Sequence, residues 1–591
     1  MDAHGTRPGA GKKCWALLLA IGISAAATAQ PFPETSAPPA QTPGGAQPFL
    51  GRGSLPTLAQ ENALPIPPAL DIPPLIDRPL GLEEGPRVRA IEFRVVGVVE
   101  RSEYGIDVAG ITYILEQHLA TQPLDGFTIN QLQAIADDIT QYYRSKGLIL
   151  AQAFVPAQNV QNGVITLQLV EGTLGSVAVE GNKLYSTKRI SGPFASLLKQ
   201  PVDQTSIEEA LLSLQDFPGL TVFGTFRRGQ VLGDTQLLVS VRDEKRFFVT
   251  PSIDNYGSAF TGDRRGMVRF GLNNLAGSAD QLTGYVLQTA NPSNGTYGGL
   301  QYAISTTNAK NTVGFGASKN TFDVTDVFTS TNLDLHGTVK RSNVFYERRF
   351  ANQRKFRAGG TLDLAHMTSL VEQPGINPSD DLDVLSYTFD YYTVGKRQRG
   401  LNLGFFRALA GTNNGDVPSR QGGSGAFAEG NYTKFEFNYQ RLQRFGRHNA
   451  LLLHLSGQQS NDLLVSLEQF SLGGPANVRA YPVAESLIDT GGAATLEWII
   501  DAPGFADRPV RNRMWGDVFK LSLFYDYAAG DINDPLPSQA SHVDLSGYGL
   551  GLQFSVSQKF YLRLDAAKPD SKKLASNGKD KQFYMSFSYT F

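Results

Sequence analysis

Two periods of hydrophobic spacing divide the chain. Across residues 128–146, Ile129, Leu132, Ile135, Ala136, Ile139 and Tyr143 recur at intervals of three and four, and Gly147 follows as a stop. That spacing lines one face of a helix. A strand over residues 90–99 (AIEFRVVGVV) and a helix near 111–120 precede it, and strands at 148–156 and 163–170 follow. The same order returns: a strand at 174–182, helices around 190–199 and 206–215, then strands at 221–228 and 235–241. Two successive β-α-α-β-β units of this kind form an internal repeat at domain scale.

After Arg246 the helical period stops and strict alternation runs to the end. In QFYMSFSYTF, Phe583, Met585, Phe587, Tyr589 and Phe591 share one face, opposite Gln582, Ser586, Ser588 and Thr590. In SGYGLGLQFSV, Tyr548, Leu550, Leu552, Phe554 and Val556 oppose Gly549, Gly551, Gln553 and Ser555; in KFYLRLDA, Phe560, Leu562 and Leu564 oppose Tyr561, Arg563 and Asp565. A soluble sandwich would also alternate, with its apolar face turned into a core. Alternation sustained over this length, with no second wave of helices, fits instead an apolar exterior in lipid around a polar lumen. At roughly 20–24 residues per strand plus connection, about 16 antiparallel strands fit, an even number as in bacterial barrels.

Composition narrows the picture. Charged residues make up 18% and aromatics 10%, a low charge content for a soluble domain. MDAHGTRPGAGKKCWALLLAIGISAAATAQ reads as a secretory signal peptide over residues 1–29, with Arg7, Lys12 and Lys13 before an apolar run and Ala27-Thr28-Ala29 at the cleavage point. Its removal takes away Cys14, the single cysteine, and leaves acidic and basic residues nearly balanced. No basic face points to nucleic acid. The seven histidines never fall at metal-ligand spacing, so neither a metal site nor a disulfide framework is expected. Beyond the leader no apolar run is long enough for a helical membrane span. Residues 30–86 are a linker rich in Pro, Ala, Gly and Gln, in which TLAQENAL (57–64) has room for two helical turns. An enzyme reading finds little: GGSG at 422–425 is followed by Ala426 where a nucleophile elbow needs glycine, and HExxH and the phosphate-binding loop pattern do not occur.

Two short motifs remain. LGGPANVRAYP (472–482) sets Arg479 among Gly473, Gly474, Val478 and Tyr481, in a connection between two alternating segments. FYDYAAG (524–530) carries Phe524 and Asp526. With the leader, the linker, the two repeated units and the barrel ending in Phe591, these motifs resemble the TpsB family, the outer-membrane transporters of two-partner secretion, also called haemolysin secretion/activation proteins. The first resembles the family's VRGY-type loop motif and the second its barrel-wall F-x-D-x-G motif. NNLAGSADQL (273–282) is similar to the glycine-rich turn near the start of such barrels. Ala480 and Ala528 stand where the motifs carry glycine, and a left-handed backbone at Ala480 would be strained.

The resemblance implies a transmembrane β-barrel of about 16 strands over 246–591, preceded by two α+β polypeptide-transport-associated (POTRA) domains at 87–172 and 173–245, with TLAQENAL as the segment for a plug helix. It implies no cofactor and no catalysis. The implied partners are a secreted TpsA-type exoprotein, outer-membrane lipids, periplasmic chaperones and the barrel-assembly machinery, with Phe591 as the assembly signal. The alternative in the same superfamily is an outer-membrane insertase, which expects more than two POTRA units; a passive porin would need none. Alternation along VFKLSLFYDYA turns Phe519, Leu521, Leu523, Tyr525 and Tyr527 outward and Lys520, Ser522, Phe524 and Asp526 into the lumen. A lone carboxylate in a narrow pore is costly. Arg479 on a long loop is its expected partner, because a planar guanidinium can meet a carboxylate with two parallel hydrogen bonds.

Overall fold

The computed structural model describes residues 86–231, 233–258, 261–324, 335–372, 377–395, 400–556, 559–570 and 574–591, with the backbone of Leu70–Asp71. The segments expected to form a signal peptide and a plug helix lie outside the described residues.

The first small unit is a mixed sheet with two helices. Val164–Val170 is its central strand, parallel to Glu92–Val96 and antiparallel to Gln152–Phe154. Helix Ile129–Ser145 opens on a capping box, in which Thr128 N–H donates to Gln131 Oε1 (2.9 Å) and Gln131 N–H to Thr128 Oγ1 (3.2 Å). Two otherwise orphaned donors are thereby satisfied. Its apolar face, Leu132, Ile135, Ile139 and Tyr143, packs with Ile165, Leu167 and Leu169 in one core. The other helix, Val108–Ala120, starts earlier than its spacing suggests because Asp107 caps Gly110 N–H at 2.7 Å.

The second unit repeats the design. Asp234–Glu244 lies between Thr173–Glu180, parallel, and Leu220–Arg228, antiparallel; Leu70–Asp71 adds a short parallel strand to the outer edge of Leu220–Arg228. The helix expected at 190–199 is instead one turn of α-helix, Thr187–Ser191, running into a 3₁₀ segment, Gly192–Leu197. Pro193 at its start has no N–H to continue the α ladder. Helix Gln204–Gln215 contributes Ile207, Leu211 and Leu214 to a core shared with Phe217, Leu237 and Val239.

Sixteen antiparallel strands then close into a barrel. The longest is Leu335–Gln353, at 19 residues. Closure joins the last strand, Gln582–Tyr589, to the first, Phe247–Asp254, through the pairs Ser586↔Asp254, Phe587↔Ile253 and Ser588↔Ser252. The exposed face is apolar, with Val286, Leu300, Phe315, Val344, Leu364, Phe406, Leu496, Leu523 and Leu550 all outward. Arg407, Lys434, Glu436, Lys520 and Asp526 are buried inside. Among the described residues no helix is long and apolar enough to cross a membrane.

The second unit docks against the barrel's near-end turns. Asp216, just past helix Gln204–Gln215, accepts from Asn352 Nδ2 (2.9 Å) and Arg357 Nη1 (3.1 Å), and Leu184 C=O accepts from Asn274 Nδ2 (2.7 Å). Asn274 opens the turn within NNLAGSADQL. There buried Asp280 accepts from the N–H groups of Ala276 and Ser278 and from the Tyr302 hydroxyl. These contacts set the second unit at the strand end opposite the long 460–489 connection.

Candidate functional site: an arginine-tipped loop in the lumen

The connection between strands Asn449–Gln459 and Thr490–Asp501 folds back into the barrel. A short ladder, Phe470–Leu472 against Ser486–Ile488, forms its stem. Gly473 and Gly474 turn the chain with φ of +96° and +88°. A Cβ on Gly473 would lie 2.4 Å from Pro482 C=O, so this approach requires glycine. Asn477 Oδ1 accepts from Gly473 N–H and Val478 N–H, while its Nδ2 donates to Ser471 C=O. The tip is thereby shaped by its own hydrogen bonds before it meets the wall.

At the tip Arg479 is 1% exposed and Asp526, on strand Phe519–Asp531, is 0% exposed. Arg479 Nε donates to Asp526 Oδ2 at 2.9 Å and Nη2 to Oδ1 at 2.8 Å, a fork-on-carboxylate geometry. The Arg479 backbone N–H (3.0 Å) and the Thr495 hydroxyl (2.9 Å) also donate to Asp526. Both oxygens of this buried carboxylate therefore accept two donors each, as such a burial demands. The Phe524 ring lies under the guanidinium, 3.3 Å from its central carbon, adding a cation–π contact.

Three further charged groups, which the sequence reading did not assign to this arginine, complete the cluster. Arg479 Nη1 donates to Glu497 Oε2 at 2.9 Å and reaches Asp565 Oδ1 at 3.5 Å. Arg563 bridges these carboxylates, at 3.0 Å to Glu497 and 2.7 Å to Asp565. Three carboxylates thus share two guanidiniums. Lumen-facing Arg563 and Asp565 were visible in the alternation, but their proximity to Arg479 depends on how the strands stagger around the barrel. Glu497 sits in TLEWIID, where Asp501 is an inward acid as well, so nothing in the segment singles Glu497 out.

The other motif residues fall around this cluster. Val478 and Tyr481 are fully buried with Leu472, Phe524 and Ala528 in an apolar patch of the lumen. Tyr481 C=O accepts the Tyr584 hydroxyl at 2.6 Å. Ala480 is not among the residues of positive φ, so the strain expected there does not arise. Its methyl instead fills space left by Gly547, where an added Cβ would come within 2.2 Å of it. Gly549 likewise leaves room for the Phe524 ring. Phe591 lies apart, 67% exposed at the barrel's near end, its N–H bonded to Val249 C=O on the first strand.

The loop is held at two more levels that the sequence reading missed. Lys434 Nζ donates to Glu468 C=O and pairs with Glu436. Near the root, fully buried Asp489 accepts both Nη groups of Arg420 (2.6 and 2.9 Å) and the N–H of Asn533 (2.8 Å). Two neighbouring far-end loops are thereby tied to this one.

The sequence pattern of the family described as haemolysin secretion/activation protein ShlB/FhaC/HecB matches residues 233–554, more than half of the chain. The chain belongs to this family. A ShlB-type POTRA domain matches residues 104–172. Over 513 residues the chain is 22% identical to the heme/hemopexin transporter protein HuxB of Haemophilus influenzae (strain 86-028NP), covering 84% of this chain and 86% of that protein. It is 27% identical over 146 residues, 25% of each chain, to the outer membrane transporter CdiB-2 of Burkholderia pseudomallei. Among solved structures, CdiB from Escherichia coli superposes with a TM-score of 0.66 at 17% identity, covering 90% of this chain and 95% of that one. BamA from Haemophilus ducreyi lacking POTRA domains 1–3 gives a TM-score of 0.52 at 14% identity, covering 85% and 100%. These structural likenesses establish the shared fold. Membership places the barrel in the bacterial outer membrane with its POTRA domains in the periplasm, in a family of secretion transporters and not of enzymes.

Proposed function

We propose that this chain is the translocation pore of a two-partner secretion system. An unfolded TpsA-type exoprotein, kept extended by periplasmic chaperones, is captured by the two POTRA units at 87–172 and 173–245, threads through the lumen and folds at the cell surface. Capture uses an exposed sheet edge, which can accept an extended segment as an added strand. Folding outside supplies the direction of movement. The barrel-assembly machinery inserts the pore, reading Phe591 at the end of the closing strand.

The observation that carries this reading is the buried cluster at Arg479. The loop tip occupies the passage that a polypeptide would use, and it is held there by noncovalent contacts, the Arg479 charge cluster together with the apolar seat of Val478 and Tyr481. The Arg479–Asp526 pair is the lock that keeps the loop in place between substrates and re-forms after each passage. An insertase of the superfamily shares the barrel fold, but the family matched here is the secretion branch. The test is secretion of a candidate TpsA-type exoprotein from the same organism, co-expressed with the wild-type chain or with Arg479→Ala. Export by the wild type and a strong loss in the variant, at equal barrel insertion, support the reading. Retention of that exoprotein by the wild type, with loss of unrelated outer-membrane barrels when the chain is deleted, would favour insertion.

A further inference from the structure

On the outer wall of the barrel, Lys319 of strand Asn311–Val324 stands directly opposite Lys340 of strand Leu335–Gln353. Both are exposed, on the face that also presents Phe315 and Val344. Residues so opposed have Cβ atoms about 5 Å apart, and like charges there repel. Among the described residues neither lysine has an ion-pair or hydrogen-bond partner for its side chain. An anion seated between them would remove the repulsion and accept from both ammonium groups. We infer that this pair binds the phosphate of a lipid headgroup in the outer leaflet, with the lipid's chains lying along the apolar wall below. The site concerns how the barrel sits in its membrane and is independent of what passes through the lumen.

Three observations support it. The first is depth. The near end of this wall is marked by Lys310, which pairs with Glu209 of the second small unit. Lys319 lies nine residues further along. At a rise of about 3.3 Å per residue and a tilt of about 40°, that is a height of about 23 Å, close to the ~25 Å of a barrel's apolar band. The exterior changes character at this level. Toward the near end the outward residues of the two strands include Val313, Phe315, Val344 and Tyr346; toward the far end they are Thr321, Asp323, Thr338 and His336. A lysine at that border costs little, whereas one at the bilayer midplane is strongly destabilising.

The second is space. On its other side Lys319 is paired with Gly298. A Cβ added to Gly298 would meet nothing nearer than 3.5 Å, so the wall has a notch beside the lysine, bordered by exposed Val286 and Leu300. The third is the placing of the acids. On this part of the outer face Asp323 is held by His336, and Asp381 and Asp383 lie 3.5 and 3.0 Å from His366. Glu372 stands opposite His336. The lysines therefore face the membrane as an uncompensated pair of positive charges.

The test uses the full chain in detergent micelles containing phosphatidylglycerol, with bound lipid counted by native mass spectrometry and folding checked by heat-modifiable mobility. Lys340→Gln should weaken the tightest lipid site roughly fivefold, and Lys319→Gln with Lys340→Gln by more than about tenfold. Lys319→Arg with Lys340→Arg keeps both charges and should bind at least as tightly as the wild type. Lys568→Gln removes an exposed charge from strand Phe560–Pro569, elsewhere on the wall, and should leave the site unchanged. Millimolar inorganic phosphate should not displace the lipid, because it has no chains to lie on the wall. Equal phosphatidylglycerol affinity in the wild type and the double glutamine variant, or a loss from Lys568→Gln as large as that from Lys340→Gln, overturns the inference. Displacement by inorganic phosphate overturns the lipid assignment in favour of a soluble anion.

Discussion

The sharpest consequence of the lumen cluster concerns what happens when its charges are exchanged. If Arg479 and Asp526 formed an isolated pair, Arg479→Asp combined with Asp526→Arg would recover part of the attraction. The structure predicts that it does not. The Arg479 guanidinium also lies 2.9 Å from Glu497 and 3.5 Å from Asp565, so a carboxylate at position 479 would meet two acids already sharing Arg563. The single changes are unequal for the same reason. Arg479→Ala leaves three buried carboxylates to one guanidinium and should cost about 3–5 kcal/mol of loop anchoring. Asp526→Ala leaves two acids facing two guanidiniums, a balanced set, and should cost about 2–3 kcal/mol. The coupling energy between the two positions should be about 2 kcal/mol.

Loop release can be read directly, because the chain's single cysteine, Cys14, lies in the expected signal peptide. Val478→Cys places a thiol at a fully buried position of the tip, and maleimide then reacts only when the loop opens. Relative to this background, Arg479→Ala should label roughly 10²- to 10³-fold faster, and the charge swap at least as fast as Arg479→Ala. Additive single effects, or a swapped protein labelling at the background rate, would refute the cluster as the anchor.

Three other outcomes are expected. Gly547→Ala should drive the loop tip from its seat and reduce secretion, because the new methyl would stand 2.2 Å from that of Ala480; Ala480→Gly in the same chain should restore part of the loss, which a non-specific folding defect would not allow. Phe591→Ser should lower the amount of heat-modifiable barrel in the outer membrane, whereas unchanged yield would move the assembly signal to Phe587 or Tyr589. Deleting residues 87–171 should abolish secretion while the barrel still inserts, and normal secretion by that variant would remove capture from the first unit.

The barrel was legible because its signal is local. Alternation along each strand separates Leu550 from Gln553 and Tyr525 from Asp526 without knowledge of any neighbour, and lipid outside with charge inside gives the alternation its meaning. The helix Ile129–Ser145 was legible for the same reason. Gly192–Leu197 departed from a helical reading because one proline, set among apolar residues at helical spacing, outweighs the periodicity around it. The cluster around Arg479 was only partly legible. Two motifs pointed to Arg479 and Asp526, but Glu497, Asp565 and Arg563 come from other strands and meet there through the stagger of the sheet. The space for Ala480 is provided by Gly547, 67 residues further along; compensation of that kind leaves no trace in either segment read alone.

The central claim is that a polypeptide passes through the lumen, and site-specific photo-crosslinking tests it most directly. A photoreactive side chain at Gln553, buried inside the barrel, and one at Leu550, 52% exposed on the outer face, differ by three positions on one strand. During active secretion of its partner exoprotein, the Gln553 probe should capture it and the Leu550 probe should not. Capture from Leu550 alone, or secretion at full rate with no adduct at Gln553, would contradict passage through the barrel.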